Sequence, residues 1–317
     1  MKLFGSRGNN PQNGTPAEST TRDLGPPEDP LATQKALESG KLPPSALRRL
    51  ELLSQDRSFT SDLTINEFSL LKSISLDPIC QVAGTAVYRI GYQPVPYGGS
   101  QPLSVLAQAF NESRRLATDR LQQEAHLAHA DAVVGARITQ AMFDAEAGLI
   151  EFSIIGTAVR SLGGPLDVLK NKTGSSAVLT TLKGQDLYSM AENGFVPLGL
   201  VGSSACYFAS LSPYTFQQMY SMLGTNMVNF EIREFTEGYY ASRHLVMREI
   251  ERAAKAVNAR GIIDFSFKTA TNSYQVPGGE REAVGAVTFI THVLATAIAE
   301  IKDAPKTSQL KIMYLKP

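Results

Sequence analysis

The sequence contains one long pattern twice. Residues 103–138 run from apolar positions spaced three, four and seven apart into a short apolar run, Ala132-Val133-Val134. The same pattern returns 129 residues later, at 232–267, where the apolar run is Gly261-Ile262-Ile263. Such spacings place side chains on one face of an α-helix, and a run rich in β-branched residues favours a strand. The chain is therefore predicted to contain a duplicated helix-to-strand unit.

The flanking residues extend each copy to the order β-α-β-β, preceded by a short helix. Thr64 and Glu67 have the spacing of a capping box, which opens that helix in the first copy. Pro102 suits the first turn of the long helix. The strands of the first copy are expected at 79–92, 132–139 and 149–160. The offset between the copies grows from 119 to 129 to 139, so we expect two ten-residue insertions in loops of the second copy.

The predicted organisation has six parts. They are a disordered arm (1–30), a short helical lead-in (31–58), a first repeat (59–161), a linker (162–177), a second repeat (178–301) and a C-terminal tail (302–317). The arm is rich in Pro, Gly, Asn, Ser and Thr and has no apolar periodicity, which is typical of disorder. The lead-in is predicted to form two short helices broken at Gly40 and Pro43-Pro44. It forms either a solvated lead-in or, with the arm, a surface for an unknown protein partner.

Charge and hydropathy limit the partners and the compartment. Thirty basic and thirty acidic residues cancel, so no net field favours nucleic acid or an anionic membrane. No apolar run reaches the length of a transmembrane helix, and the N-terminus turns polar after four residues. We therefore expect a cytoplasmic protein without membrane insertion. Cys80 and Cys206 lie in apolar runs at positions that do not correspond between the copies, which predicts buried free thiols.

Metal-binding residue types are sparse in the sequence. His126 and His129 lie three residues apart on the long helix and so lie on roughly one face. Zinc and similar ions need three or four ligands, and no third histidine, CxxC or HExxH is nearby. The pair is either solvated or capping, or it binds a divalent metal only when an oligomer gathers several copies. No other cofactor is expected.

Catalytic motifs are lacking in the sequence, and the repeated arginines carry the strongest polar signal. There is no GxSxG motif, and the Gly-Gly pairs are not followed by the Lys-Ser/Thr of a phosphate loop. We therefore do not expect an enzyme. Arg114 and Arg243 occupy the same helical position in the two copies. Each forms a structural ion pair or helix-to-loop hydrogen bond, or else binds an anion or partner at a pore or an inter-repeat groove.

Two runs of residues indicate a family. The first copy combines Ala130-Asp131-Ala132-Val133-Val134-Gly135 after the long helix with Gly156-Thr157-Ala158-Val159 in its last strand. The helix contributes Arg114, Ala117, Leu121 and Ala125. With this pattern the chain resembles the YbjQ-like family, small bacterial proteins labelled as heavy-metal-binding domains. The resemblance covers about residues 80–161 and, in a more divergent form, 197–301, and it does not extend to the N-terminal 55 residues.

The resemblance implies an α+β fold and self-association. YbjQ-like proteins are expected to have dodecin-like β-α-β-β domains, with a long helix packed on an antiparallel sheet, and to assemble into rings, pentamers among them. A three-stranded unit also leaves sheet edges open, which association would cover. We predict two tandem domains of this kind in a ring-like, non-enzymatic homo-oligomer that acts as a scaffold or binding protein. The alternative is a metal-binding or metal-buffering protein with ligands gathered by oligomer symmetry, and a further alternative is an enzyme of unknown class.

The second copy departs from the family pattern at two positions. Asp131 of the first copy corresponds to Arg260, and Gly135 corresponds to Asp264. Whatever the Asp131 carboxylate does, the second copy cannot do it at the same place. Asp131 is therefore a candidate binding residue of the first copy alone, and one copy is expected to be structural.

Overall fold

The computed structural model describes residues 29–56, 60–91, 99–144, 148–169, 176–220, 229–278 and 281–301. The helices of these ranges are α1 (Pro30–Glu38), α2 (Pro44–Asp56), α3 (Ile65–Ser73), α4 (Ser104–Leu127), α5 (Gly184–Glu192), α6 (Pro213–Tyr220) and α7 (Arg233–Ala256), with a short 3-10 helix at Asp167–Leu169. The strands are β1 (Leu76–Arg89), β2 (Gln101–Pro102), β3 (Ala132–Asp144), β4 (Leu149–Ser161), β5 (Val178–Leu179), β6 (Phe195–Ser210), β7 (Gly261–Gly278) and β8 (Arg281–Glu300). Nearly all of the predicted arm (1–30) and all of the predicted tail (302–317) lie outside the described residues.

The strands form two sheets, each with a long helix packed on one face. The first sheet has the order β1-β4-β3-β5, and the second has the order β2-β6-β8-β7. We call α3, β1, α4, β3 and β4 the first unit, and α5, β6, α7, β7 and β8 the second unit. The long strands pair antiparallel in both sheets. The predicted α+β class, with two tandem units of a long helix on an antiparallel sheet, is confirmed.

Strand register shows how closely the two units correspond. Thr85 lies opposite Ser153 in the first sheet, and Ser204 lies opposite His292 in the second. These pairs are related by the offsets of 119 and 139 that the sequence predicts. The bulges also correspond, since the register shifts between Val134 and Arg137 in β3 and 129 residues later in β7. The same fold therefore occurs twice, while its origin by duplication stays a prediction.

The bulge in β3 and β7 explains one of the sequence differences between the units. Gly135 has φ +62° and Asp264 has φ +54°, so both lie in the left-handed region. Glycine adopts this region without strain, and Asp tolerates it better than most residues. Gly135 is therefore present for its backbone conformation, and the second unit keeps that conformation with Asp.

The two long helices bury equivalent stripes of small and branched side chains. On α4 the stripe is Ala117, Leu121 and Ala125, and on α7 it is Val246, Ile250 and Ala254. The helix α4 lies so close to β1 that a Cβ atom on Gly84 would come within 2.0 Å of the Ala117 carbonyl oxygen. A larger residue at position 84 would push the helix off the sheet.

Three local expectations need correction. Pro102 belongs to β2, and α4 begins two residues later at Ser104. The insertion before α7 contains a helix, α6. The insertion in the last hairpin lengthens the strands, because β7 and β8 have 18 and 20 residues, whereas β3 and β4 have 13 each. Residues predicted to be loops are thus partly helix and strand. In the last hairpin, the inserted residues extend the antiparallel pairing of β7 with β8.

The N-terminal helices α1 and α2 lie in the predicted lead-in, where α1 contacts α2 and α2 contacts α4. The Nη2 atom of Arg49 in α2 lies 2.5 Å from Oε2 of Glu124, which also accepts the Ala83 N–H at 2.8 Å. Burial raises the pKa of the Glu124 carboxyl, and these contacts oppose that rise. Glu124 corresponds to Ala253 in the second unit, so this docking of a lead-in is specific to the first unit.

Two short strands cross between the units. Strand β2 precedes α4 in the chain but pairs with β6 of the second sheet. Strand β5 precedes α5 but pairs parallel with β3 of the first sheet. Each unit therefore contributes a strand to the sheet of the other. As a result, α4 lies between the two sheets, and the joint between the units is continuous with both cores.

Candidate functional site

The joint between the units contains a small, partly open cavity of about 30 Å³. Residues from α4, β3 and β4 line one side, and residues from β6, β7 and β8 line the other. They are Arg114, Ile138, Phe152, Ser203, Ser204, Ser266, Lys268, His292, Val293 and Leu294. Arg114, one of the predicted binding residues, thus faces an inter-repeat groove that is closed by the second unit.

Arg114 is the charged group at the centre of this joint. Its Nη2 atom donates to Oδ1 of Asn111, one turn earlier on α4, at 2.8 Å. Its Nη1 atom is shielded from solvent and has no hydrogen-bond partner among the described residues. Burial lowers the pKa of Arg114 to about 10. The guanidinium therefore stays protonated at neutral pH and presents one unsatisfied donor to the cavity wall.

His292 faces Arg114 from β8. Its Nδ1 atom lies 2.8 Å from Oγ of Ser204, and its ring meets the edge of Phe110 with centroids 4.9 Å apart. Burial first, and then the charges of Arg114 and Lys268, lower the pKa of His292 to about 3. The imidazole is therefore neutral at physiological pH, which avoids a third positive charge in the joint.

Asn111 fixes α4 to the second sheet. Its Nδ2 atom donates to the Ser204 carbonyl oxygen at 2.9 Å, and its Oδ1 accepts the Ser204 N–H at 2.9 Å. The side-chain amide thus pairs with the backbone of β6 as another strand would. Beside it, the Leu103 N–H donates to the Cys206 carbonyl oxygen at 2.9 Å. The joint is therefore held by specific backbone contacts as well as by apolar packing.

The chemistry of the cavity is restricted by its size and lining. A volume of about 30 Å³ accommodates a water molecule or a monoatomic anion. Its described lining contains cations, hydroxyls and apolar groups but no carboxylate, so it offers donors and no set of metal ligands. This arrangement suits a structural joint between two units better than a pocket for an organic substrate.

Arg243 occupies the equivalent position on α7, but its surroundings differ. It is exposed, and its guanidinium lies over the ring of Phe267 at 5.5 Å. Phe267 corresponds to Ile138, which lines the Arg114 cavity, so the arginine has the same neighbour position in both units. The two arginines differ in what lies on their other side. Arg114 faces the second sheet, whereas no further sheet among the described residues packs on the face of α7 that carries Arg243.

Asp131 is not in the cavity. Its Oδ2 accepts the N–H of Ser161 at 2.8 Å, next to the start of β3. In the second unit the same two positions hold Arg260 and Glu300, whose Nε and Oε1 atoms are 3.2 Å apart. The carboxylate-to-backbone contact of one unit is thus replaced by an ion pair in the other. Both contacts fix the end of the long helix against the last strand, which supports a structural role for Asp131.

His126 and His129 lie near the C-terminal end of α4, and both are exposed. His129 has φ +52°, and its carbonyl oxygen accepts from Nε of Arg160 at 3.2 Å. In the described ranges no group of three or more His, Cys, Asp or Glu side chains is placed to bind a metal ion. The two imidazoles are therefore accessible, but the described part of one chain adds no third ligand.

Sequence reasoning missed the partners of Arg114. Nothing in the sequence singles out His292, Asn111, Ser204 or Lys268. These residues come together only through the packing of α4 on the second sheet. Both cysteines are buried and free, as predicted, and burial raises the pKa of both thiols.

Comparisons with known proteins agree with the architecture. Residues 98–161 match the family described as "Putative heavy-metal-binding", YbjQ_1. The chain is also 32% identical over 240 residues to the encapsulin nanocompartment protein Rv1762c of Mycobacterium tuberculosis, an alignment that covers 76% of this chain and 88% of that protein. The chain belongs to the family of this relative, and its first unit is a YbjQ-like domain. No solved structure matches the chain.

The YbjQ-like match begins in the segment before α4 and ends with β4, so it includes Arg114, Asp131 and both predicted histidines. The match to the relative is longer than either unit and must include parts of both. Of the helices in the described ranges, none combines the length and the apolar character needed to cross a bilayer.

Proposed function

We propose that this protein is a non-enzymatic structural protein that self-assembles into a multi-copy scaffold of the nanocompartment type. The observation that carries the proposal is the similarity to an encapsulin nanocompartment protein over most of both chains. Because the alignment must include parts of both units, it concerns the tandem architecture and not one domain alone. Assembly is then a property of the whole two-unit chain.

The surface of the second unit supports self-assembly. Tyr239, Tyr240 and Arg243 of α7 and Phe267 of β7 form an exposed surface, which we call the open face. Exposed aromatic residues beside an arginine are typical of protein–protein interfaces. In the first unit the equivalent surface is covered by the second sheet. The open face is therefore a site where a further protein surface is expected.

Native mass spectrometry and negative-stain electron microscopy of untagged protein test the proposal. We expect a mass that is a multiple of the 34.3 kDa chain and closed particles or rings in micrographs. A chain that stays monomeric at micromolar concentration, purified from its own host as well as after heterologous expression, would contradict the scaffold function. Particles with a bound protein of another mass would add a partner, for which residues 1–58 are the proposed contact.

A second candidate function is metal binding in the assembled state. The observation that favours it is the pair of accessible imidazoles in the YbjQ-like match, of which His126 lines an open groove together with Asp119, Gln122 and Gln123. A single chain supplies too few ligands here, but neighbouring copies could complete a site. A divalent metal gathered by symmetry would make the protein a metal buffer.

Metal content measured by elemental analysis separates the two functions. Wild type and the double variant His126→Ala/His129→Ala are purified without added chelator and compared at the same oligomeric state. Stoichiometric metal that disappears in the variant supports the metal function. Equal metal content in both proteins would remove it, and the scaffold function would stand. His244→Ala, in the second unit, serves as the matched control.

A further inference from the structure

We propose that the open face of the second unit binds the first sheet of a second copy, and that this contact repeats the joint found inside each chain. The partner surface is the face of the first sheet opposite α4, which we call the receiving face; it is formed by Thr85, Val87, Glu151 and Ser153. The proposed interface depends on the self-assembly proposed above and specifies which two surfaces meet. Copies would then join head to tail.

The joint inside the chain is the template for this contact. There, α4 packs against the face of the second sheet that is opposite α7, where Phe110 contacts Cys206 and Ile290 and the Asn111 amide pairs with Ser204. Phe110 is only 1% exposed as a result. A first unit is thus built to place its long helix on the sheet of the unit that follows it.

The second unit carries the same elements without a partner. Tyr239 and Tyr240 correspond to Phe110 and Asn111, and they are 39% and 62% exposed. The segment 229–232 corresponds to Ser100–Leu103, which contains β2, yet no strand is formed there. The start of β7 corresponds to the edge of β3 that β5 covers, and no strand covers it in the described ranges. The second unit therefore lacks, at each of these points, the neighbour that the first unit has.

The receiving face has the geometry to be that neighbour. Thr85 and Ser153 correspond to Ser204 and His292, which α4 contacts, and their hydroxyl oxygens are 2.8 Å apart on the surface. Val87 corresponds to the buried Cys206 but is 56% exposed. Strand β1 is also an edge of its sheet, as β6 would be without β2. The edge and the apolar position that corresponds to Cys206 are thus present and uncovered, whereas the position that corresponds to Ile290 holds Glu151.

The charges around Arg243 in the proposed contact are more favourable than those around Arg114 in the joint inside the chain. Arg114 inside the chain meets Lys268 and the protonatable His292. The equivalent residues opposite Arg243 in the proposed contact are Thr139 and Ser153, which carry no charge. Glu151 lies on the same face, two residues before Ser153 on β4, and its Oε1 atom is 3.3 Å from the Ser153 hydroxyl oxygen. The exposed guanidinium of Arg243 would therefore have a carboxylate nearby, where Arg114 has the positive charge of Lys268 and a neutral imidazole.

Two basic residues lie on or near that face, the exposed Arg89 at the end of β1 and Arg137 on β3. Arg137 corresponds to Ser266 of the template, and its Nη1 lies 2.5 Å from Oδ2 of Asp62. Its charge is thus already paired within the first unit. The hydroxyls of Thr85 and Ser153 and the carboxylate of Glu151 are thus the groups of the receiving face that complement the arginine and tyrosines of the open face.

A head-to-tail contact joins two different surfaces. Each copy has one open face and one receiving face, so such contacts close into rings or continue as filaments. First and second units would alternate around the assembly. In such an assembly, the joint between copies and the joint within a chain are two versions of one interface.

Charge reversal tests the contact between Arg243 and Glu151. The variants are Arg243→Glu, Glu151→Arg and the double variant that carries both changes in one chain. Each single change is expected to weaken assembly about tenfold or more, measured by mass photometry over a dilution series, and the double variant is expected to recover most of the loss. Arg248→Glu, an exposed arginine elsewhere on α7, is the control and should assemble as wild type does. Circular dichroism verifies that each variant is folded.

Mixing two defective variants tests the head-to-tail arrangement. One variant, Tyr240→Glu/Arg243→Glu, lacks the open face, and the other, Val87→Arg/Glu151→Arg, lacks the receiving face. Each alone is expected to be a folded monomer, and a 1:1 mixture is expected to form a heterodimer of twice 34.3 kDa through the two intact surfaces. Variants that assemble like wild type, or monomers that stay apart on mixing, would overturn the proposed interface while scaffold assembly stands. A monomeric wild type would instead refute the proposed function itself.

Discussion

The two units have one fold and one repeated arginine, yet the arginine is half-buried, with its Nη1 atom shielded, in the first unit and exposed in the second. Arg114 lies in a closed joint with an unsatisfied donor, whereas Arg243 stacks on Phe267 at the surface. The helices that carry them bury equivalent apolar stripes on their own sheets. The difference therefore does not come from the helix or its sheet but from what covers the opposite side. Within one chain, the repeated arginine lies at a contact between the two units only in the first unit, at Arg114.

The largest expected difference concerns the aromatic pair Phe110 and Tyr239. Phe110→Ala should lower the free energy of unfolding by about 3–5 kcal/mol, because a fully buried ring leaves a cavity. Tyr239→Ala should cost about 1 kcal/mol, because its ring touches Phe289 on only one side. Urea denaturation in the Arg243→Glu background, where assembly is expected to be lost, measures both values. Equal losses would mean that the two faces are not different within one chain.

The next effect is the pH dependence that His292 adds to the joint. Its folded-state pKa of about 3 lies below the ordinary value of 6.5, so the unfolded chain binds the proton first as the pH falls. The contribution of His292 to stability is therefore complete above about pH 6.5 and is lost between that pH and about 3. Unfolding measured at pH 7, 6, 5 and 4 should show a loss of about 3 kcal/mol from this residue alone.

Two variants isolate that contribution from the carboxylates that titrate over the same range. His292→Gln should remove the part of the pH dependence that His292 causes. Arg114→Met should reduce it, because the Arg114 charge helps to lower the pKa of His292. Arg243→Met is the matched control and should leave the pH profile of unfolding unchanged. A profile that is identical in wild type and His292→Gln would contradict a buried neutral imidazole.

A smaller effect separates the two bulges. Gly135→Ala should cost about 1–2 kcal/mol, because alanine is strained at φ +62° while the space around the position is free. Asp264→Gly, at φ +54°, should change stability by less than about 1 kcal/mol, and in the stabilising direction if anything. Thermal unfolding of the two single variants measures both. A destabilised Asp264→Gly protein would indicate that the Asp264 side chain makes a contact that stabilises the second unit.

Much of the fold follows from the sequence because periodicity and spacing are local. The capping box at Thr64 and Glu67 opens α3 as predicted. The predicted offsets agree with the register of the long strands, and the offset of 129 relates the bulge in β3 to the bulge in β7. The exact end of α4 at Leu127 does not follow from the sequence, since helix ends depend on a few hydrogen bonds and the turn at His129 has no strong sequence signal.

The joint could not be predicted because it depends on contacts between distant residues. Strands β2 and β5 have two residues each, too few to show any alternation. The stripes of α4 and α7 have the same period, so the pattern cannot tell which helix has a second covered side. The alignment of Arg114 with Arg243 indicated an important position. It left open whether the residue binds an anion, a partner or its own chain.

The crossing of β5 to the first sheet also bears on how the protein is made. The N–H groups of Gly135 and Ala136 donate to the carbonyl oxygens of Leu182 and Thr180, which are synthesised after the whole first unit. During synthesis, the first sheet therefore has an open edge and an incomplete core until residue 182 has left the ribosome. A chain released before that point exposes a strand edge of the kind that promotes aggregation. Translation must therefore continue past residue 182 before the open edge of the first sheet can be covered.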